Sequence, residues 1–298
     1  MSKYFLNLDG TTGPIIVGKK KKFRCKVSAK EITINENKFL EVRSNGVPNY
    51  KPAVYDEDGE KVLIRGTWEK ELRLVTNNRE GNPNYIDEQD HLFYLPLEPT
   101  LGNWRYNNKK ELPMGAIGVA INGCLLYNQY ADAKQTLDAI ETEEFDYCCG
   151  HPDAQNQYHY HQYPLCVQGN SGLTNSKVED VEDYINNLVL SRDISPVLGF
   201  MFDGIPLTGP VGYDLDGNVK ILRSSYNENK EYVEGLGDLD YYNGIVSPIE
   251  KGEEPVYHYV CTIKSENNRV SLNEDNEIIP VFPYMVKAYK YMPFIDNF

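Results

Sequence analysis

The chain is predicted to be all-β with minor helices, and three observations carry that reading. Short apolar stretches alternate with Gly-, Asn-, Asp- and Pro-containing turn signals along most of its length. Tyrosine, which suits half-buried strands, occurs 23 times, against five methionines and two tryptophans. A strand-plus-turn phrase also recurs, at 118–123 (Gly-Val-Ala-Ile-Asn-Gly) and at 199–204 (Gly-Phe-Met-Phe-Asp-Gly). With 298 residues, 41% of them hydrophobic and 25% charged, the chain can bury a real core and divide in two.

Residues 1–112 read as an N-terminal β-sandwich-like module. Its strands are Ile15-Ile16-Val17, Phe23 to Val27, Glu31 to Ile34, Val62-Leu63-Ile64 and Leu72 to Val75. Asp9-Gly10, Asn45-Gly46, Asp58-Gly59 and Gly81-Asn82-Pro83 are the turns between them. The basic run Lys19 to Lys22 is read as a solvated hairpin tip, with an anion-binding patch as the alternative. A charge step supports a boundary near residue 112. Residues 1–112 carry 19 Lys/Arg and 16 Asp/Glu, and residues 113–298 carry 11 and 28.

Residues 113–298 read as a second domain with two degenerate repeats, about 115–170 and 196–262. Besides the strand-turn phrase, Phe145 to His151 matches Leu239 to Ile245. Tyr158-His159-Tyr160-His161 matches Tyr257-His258-Tyr259-Val260. Two helices are expected. One covers 177–191, behind the capping box Ser176-Lys177-Val178-Glu179. A shorter one covers 133–144, with Leu137 and Ile140 facing inward. Asp214-Leu215-Asp216-Gly217 is a hairpin turn, too short for a calcium loop. The tail, 278–298, with Pro280, Pro283 and Pro293, is expected to pack as an irregular last strand.

The formal net charge of −14 argues against a nucleic-acid binder held by phosphate contacts. No segment is apolar enough to span a membrane, and no signal peptide is visible at the start. No phosphate-binding Gly-Lys loop, dinucleotide fingerprint, His-Glu-x-x-His or Gly-x-Ser-x-Gly occurs.

The chemistry is concentrated between Cys148 and Cys166. Alternation along a strand puts His159 and His161 on one face, with Tyr158 and Tyr160 on the other. A turn through Pro152, Asp153 and Asn156 would fold His151 back beside them. Three imidazoles so placed suit a divalent metal, Zn²⁺ first and copper second. His258, the repeat partner of His159, is a possible fourth ligand, and His91 is read as structural. Cys25, Cys124 and Cys261 are read as buried apolar residues.

Tyr158 to His161, preceded by Asp146, Cys148, Gly150, His151 and Pro152 and followed by Pro164 and Cys166, resembles the YHYH-domain family. The phrases at 118–123 and 199–206 resemble it too, so the likeness covers about 115–262. It implies a duplicated β domain with a histidine metal site and no established reaction. The family's cysteine pair implies a disulfide between Cys148 and Cys166, with Cys149 as the rival partner. The second half departs from the pattern: Tyr242 stands for a cysteine, and Ile245 and Val260 stand for histidines.

Two functions are expected from these features. The first is a structural or binding protein, such as a phage-tail or capsid-surface component of a virion. It would sit at a virion or extracellular surface, oligomeric, with other structural proteins or a surface receptor as partners. The alternative is a metal-dependent hydrolase using the three-histidine site, with Asp146, Asp153 or Asp203 as general base.

Overall fold

The computed structural model describes residues 1–18, 21–50, 84–102, 112–146, 148–167, 178–274 and 277–298. The chain is mostly β. It opens with β1 (Leu8–Asp9), β2 (Ile16–Val17), β3 (Lys22–Phe23), β4 (Lys26–Ile34), β5 (Asn37–Ser44) and β6 (His91–Pro96). Strands β1, β4, β5 and β6 form an antiparallel sheet in that order, and β2 pairs with β3 as a separate hairpin. Phe23 to Val27 and Glu31 to Ile34, expected as two strands, fall mostly in the single long β4, with Phe23 itself in β3. The turn after β4 is Asn35-Glu36, both at positive φ (47° and 69°), the geometry of a tight hairpin turn. The expected strands at 62–64 and 72–75 lie outside the described residues. So do the turns at Asp58-Gly59 and 81–83, Lys19 and Lys20 of the basic run, and Ser176 and Lys177 of the capping box.

The rest of the chain is built on an eight-stranded sheet. It supplies β7 (Ala116–Ala120), β8 (Leu125–Tyr127), α1 (Ala139–Thr142), β9 (Gly150–Pro152), β10 (Tyr158–Tyr160) and α2 (Val178–Ser191). After these come β11 (Val197–Met201), β12 (Pro206–Thr208), β13 (Val211–Tyr213), β14 (Val219–Ile221), β15 (Gly244–Ser247), β16 (Val256–Val260), β17 (Ser265–Glu266) and β18 (Arg269–Val270). The sheet order is β15-β16-β12-β11-β7-β8-β10-β9. That order reads as the repeat written twice, outward from the middle. Each half is an antiparallel hairpin (β7–β8, β11–β12), then a parallel neighbour (β10, β16), then an antiparallel edge strand (β9, β15).

The centre of this pseudo-dyad explains the repeated glycines. β7 and β11 pair antiparallel, with Gly118 opposite Met201 and Gly199 opposite Ala120. A Cβ on Gly118 would lie 2.7 Å from the Phe200 carbonyl oxygen, and one on Gly199 would lie 2.6 Å from that of Val119. No side chain fits at either position, so the two halves meet backbone to backbone.

The halves also repeat their hydrogen bonds. In the first, Asp146 accepts from the Cys148 and Gly150 amides and from the Tyr158 hydroxyl, while Asn122 donates to the Tyr160 hydroxyl. In the second, Asp240 accepts from the Tyr242 and Gly244 amides and from Tyr257, while Asp203 accepts from Tyr259. The tyrosines of both Tyr-His-Tyr strands thus face inward and are buried.

The first sheet closes over this arrangement. Leu6 donates its amide to the Ile121 carbonyl (3.1 Å), and Ser44 Oγ donates to the Gly123 carbonyl (2.8 Å). The Tyr50 hydroxyl lies 3.0 Å from that of Tyr158 and 2.6 Å from that of Tyr160. Val27, Leu40 and Val42 share one hydrophobic core with Leu125, Phe200 and Phe202.

Two local expectations are corrected. The helix expected over 133–144 is only the four residues of α1, and Leu137 is half exposed. Asp132 instead accepts from the Lys134, Thr136 and Leu137 amides, a turn that competes with the helix. The tail from 278 contributes only isolated bridges and a short helical turn, Ile295–Asn297, instead of a strand. It buries Met285, Val286 and Tyr289, and Asn297 bonds both the amide and the carbonyl of Tyr94 on β6. The Asp214 turn between β13 and β14 is as expected, with Gly217 at φ 81°.

Candidate metal centre

The histidines are placed by the β9–β10 hairpin. Asp153 Oδ1 accepts from the Gln155 and Gln157 amides and Asn156 sits at φ 64°, which turns the chain between the two strands. His151 then lies directly opposite His159 in the antiparallel register. His161 follows two residues on, on the same face as His159. All three are buried.

Each ring is fixed at Nδ1 by a backbone carbonyl. His151 bonds Glu144 (2.8 Å), His159 bonds Gln157 (3.0 Å) and His161 bonds Asn128. A carbonyl only accepts, so each Nδ1 carries the proton, and each neutral ring presents a bare Nε2 lone pair. Those three lone pairs converge. His159 Nε2 is 3.0 Å from Nε2 of His151 and 3.0 Å from Nε2 of His161. Glu143 joins them, with Oε2 at 3.2 Å from His151 Nε2 and 3.4 Å from His161 Nε2. Glu143 Oε2 is buried and accepts no hydrogen bond. The four ligand atoms all lie within 4.8 Å of one another.

Four converging acceptors with no proton between them repel one another, and a divalent cation at their centre removes the repulsion. Zinc–nitrogen bonds of about 2.0–2.1 Å in a tetrahedron put ligand atoms about 3.3 Å apart; four of the six pairs here lie at 3.0–3.4 Å, and all lie within 4.8 Å. Tethering of the second ring nitrogen to a carbonyl is the usual support for a metal-binding imidazole. The residues therefore fit a metal.

Burial keeps His159 and His161 neutral. Burial, reinforced by the neighbouring imidazoles, pushes His159 well below its ordinary value. Burial and His151 bring His161 down to about 4. Tyr127 stacks on His159 with ring centroids 3.9 Å apart, and Phe145 covers His151 at 4.5 Å.

His258 does not join the cluster. It lies on β16, five strand spacings from β10, or about 24 Å across the sheet. It faces Ile245 where His159 faces His151, and its Nδ1 bonds the Val256 carbonyl. None of the proposed bases reaches the histidines either. Asp146 bonds Tyr158, Asp153 bonds Tyr127 and Asp203 bonds Tyr259. Glu143, at the C-terminal end of α1, was not singled out in the sequence. Its only signal there is its position eight residues before His151. His91 stacks on Phe93 in the first sheet, away from the site.

The cysteines are as the resemblance implied: Cys148 is bonded to Cys166, and Cys149 is free. The bond ties the segment before β9 to the loop after β10, at both ends of the histidine hairpin. A disulfide fits an oxidising compartment. Among the described residues, no helix is long and apolar enough to cross a membrane.

Residues 92–270 match a family model described as YHYH protein. The match begins inside β6 and so takes in the last strand of the first sheet as well as the duplicated sheet. No curated protein and no solved structure matched the chain.

Proposed function

The chain belongs to the YHYH protein family, and from that premise we propose that it binds one divalent transition metal through His151, His159, His161 and Glu143. The observation that carries this reading is the convergence of three bare Nε2 lone pairs and an unpartnered carboxylate oxygen on one buried point. Three imidazoles and one carboxylate favour Zn²⁺ first and copper second. Metal analysis after loading with either ion tests it. One ion per chain is expected, and His159→Ala with His161→Ala should abolish it while the far-ultraviolet dichroism is kept.

Around that site we propose a structural or binding protein displayed at an extracellular or virion surface. The disulfide supports the oxidising location. The degenerate second repeat supports a role in shape, since its Tyr-Asp bonds are kept while two of its three histidine positions are apolar. An oligomer with itself or with other structural proteins, or contact with a surface receptor, would use exposed strand edges. β15 is an edge strand with Val246 half exposed. Chromatography with light scattering measures the assembly.

A metal-dependent hydrolase is the second reading, favoured by the partial exposure of Glu143 beside the buried histidines. A bound divalent ion would supply Lewis acidity there. The division near residue 112 is also retained as a proposal. The strands of the first sheet all precede Leu97 and those of the eight-stranded sheet all follow Gly115, which supports it.

A further inference from the structure

We propose that Glu143 is the exchangeable ligand of the histidine site and that its carboxylate occupies the place of a small exogenous carboxylate. This rests on the metal reading and specifies what that site accepts. The four ligands are not equivalent in how they are held. His151 and His159 stand on paired strands inside the sheet, and His161 follows directly after β10. Each of the three is further pinned at Nδ1 by a backbone carbonyl, that of Glu144, Gln157 and Asn128 respectively. Moving any one of them breaks a hydrogen bond to the backbone.

Glu143 has no such anchor. It is the residue that ends α1, a helix of a single turn, and it belongs to no sheet. Its backbone amide bonds Ala139, but among the described residues Oε2 meets only His151 and His161. Its side chain keeps 31% of its exposure, against 6% for His151 and 3% for His161. The carboxylate therefore brings a buried Oε2 to the three fixed nitrogens on a flexible, partly exposed stem. Rotation about that stem would open one position, already shaped for a carboxylate oxygen, beside imidazoles that Phe145 and Tyr127 hold by ring contact. A short carboxylate such as acetate or formate matches the group that leaves.

Cobalt(II) is the probe, because its visible absorption reports ligand number and type. Wild-type protein, Glu143→Ala and Glu143→Gln are titrated with Co²⁺, with and without sodium acetate. The proposal expects Glu143→Ala to retain Co²⁺ on three histidines, about 10- to 100-fold more weakly than wild type. Acetate should tighten that binding about tenfold and return the spectrum towards the wild-type form, a chemical rescue. Glu143→Gln should be weakened and rescued less. If Glu143→Ala binds Co²⁺ with wild-type affinity and an unchanged spectrum, Glu143 is not a ligand and the proposal fails. If binding is weakened but indifferent to acetate, the position does not exchange and the proposal also fails. Absence of Co²⁺ binding by the wild type would overturn the metal reading itself, and this inference with it.

Discussion

Replacing Asp203 by Asn is expected to stabilise the protein at neutral and alkaline pH and to destabilise it modestly in acid. Asp203 is fully buried, accepting from the Tyr259 hydroxyl (2.6 Å) and from the Ile205 and Tyr291 amides (both 3.3 Å). Burial outweighs these bonds and raises its carboxyl from the ordinary 3.8 to about 7. A carboxyl whose folded pKa is raised contributes stability that is complete below pH 3.8 and is lost as pH rises through 7. Between pH 4.5 and 8 the loss is about 3 kcal/mol, at 1.36 kcal/mol per unit. The first repeat shows that an amide can take the place: Asn122 there donates to the Tyr160 hydroxyl at 3.1 Å. The amide introduced by Asp203→Asn would donate to the Tyr259 hydroxyl, which also accepts from the Lys290 amide, and would give up both the acceptor of the Tyr259 proton and the long bond from the Tyr291 amide, at a cost of about 2 kcal/mol. Urea unfolding at the two pH values measures this. The advantage of Asp203→Asn should grow by about 3 kcal/mol from pH 4.5 to 8. An effect independent of pH would refute the claim that a buried, ionisable Asp203 weakens the fold.

Three further outcomes follow from the same geometry. Changing Cys148 and Cys166 together to Ala should cost about 3 kcal/mol, from an unfolded chain freed of a loop whose ends are 18 residues apart, read by urea unfolding without reductant. Burial holds His258 down to about 4, so its ring stays neutral in the fold while the unfolded chain takes up a proton. The stability from that group is complete above about pH 6.5 and falls by about 3 kcal/mol by pH 4, and an NMR titration midpoint above 6 would contradict it. Limited proteolysis should cut first between Pro96 and Ala116, where the two sheets join, and the fragments should stay associated through the core they share.

The repeat was the most legible feature of the sequence because its causes are local. Gly118 and Gly199 mark a backbone contact that no other residue permits, and Asn122 and Asp203 each precede a glycine at positive φ that turns the hairpin. The same holds for the histidines. Alternation along one short strand and a turn at Asp153 to Gln157 suffice to bring His151, His159 and His161 together. What remained hidden depends on distant contacts. Glu143 reaches the site from the end of a one-turn helix, with no periodic pattern to mark it. His258 looked like a fourth ligand because it matches His159 in sequence. The symmetry that makes them equivalent also places them on opposite arms of the sheet. The tail carries prolines and aromatics that resemble a loose strand, yet Met285, Val286 and Tyr289 are buried in the core that joins the sheets.

The convergence of three imidazoles and one carboxylate is proposed to hold an ion. A crystal structure of zinc-loaded protein, with anomalous diffraction measured above and below the zinc edge, tests it most directly. The predicted result is one strong peak within bonding distance of Nε2 of His151, His159 and His161, with Glu143 beside it. No peak there, with a proton or water linking the three Nε2 atoms instead, would rule out the metal site and leave the motif as a hydrogen-bonded staple of the fold.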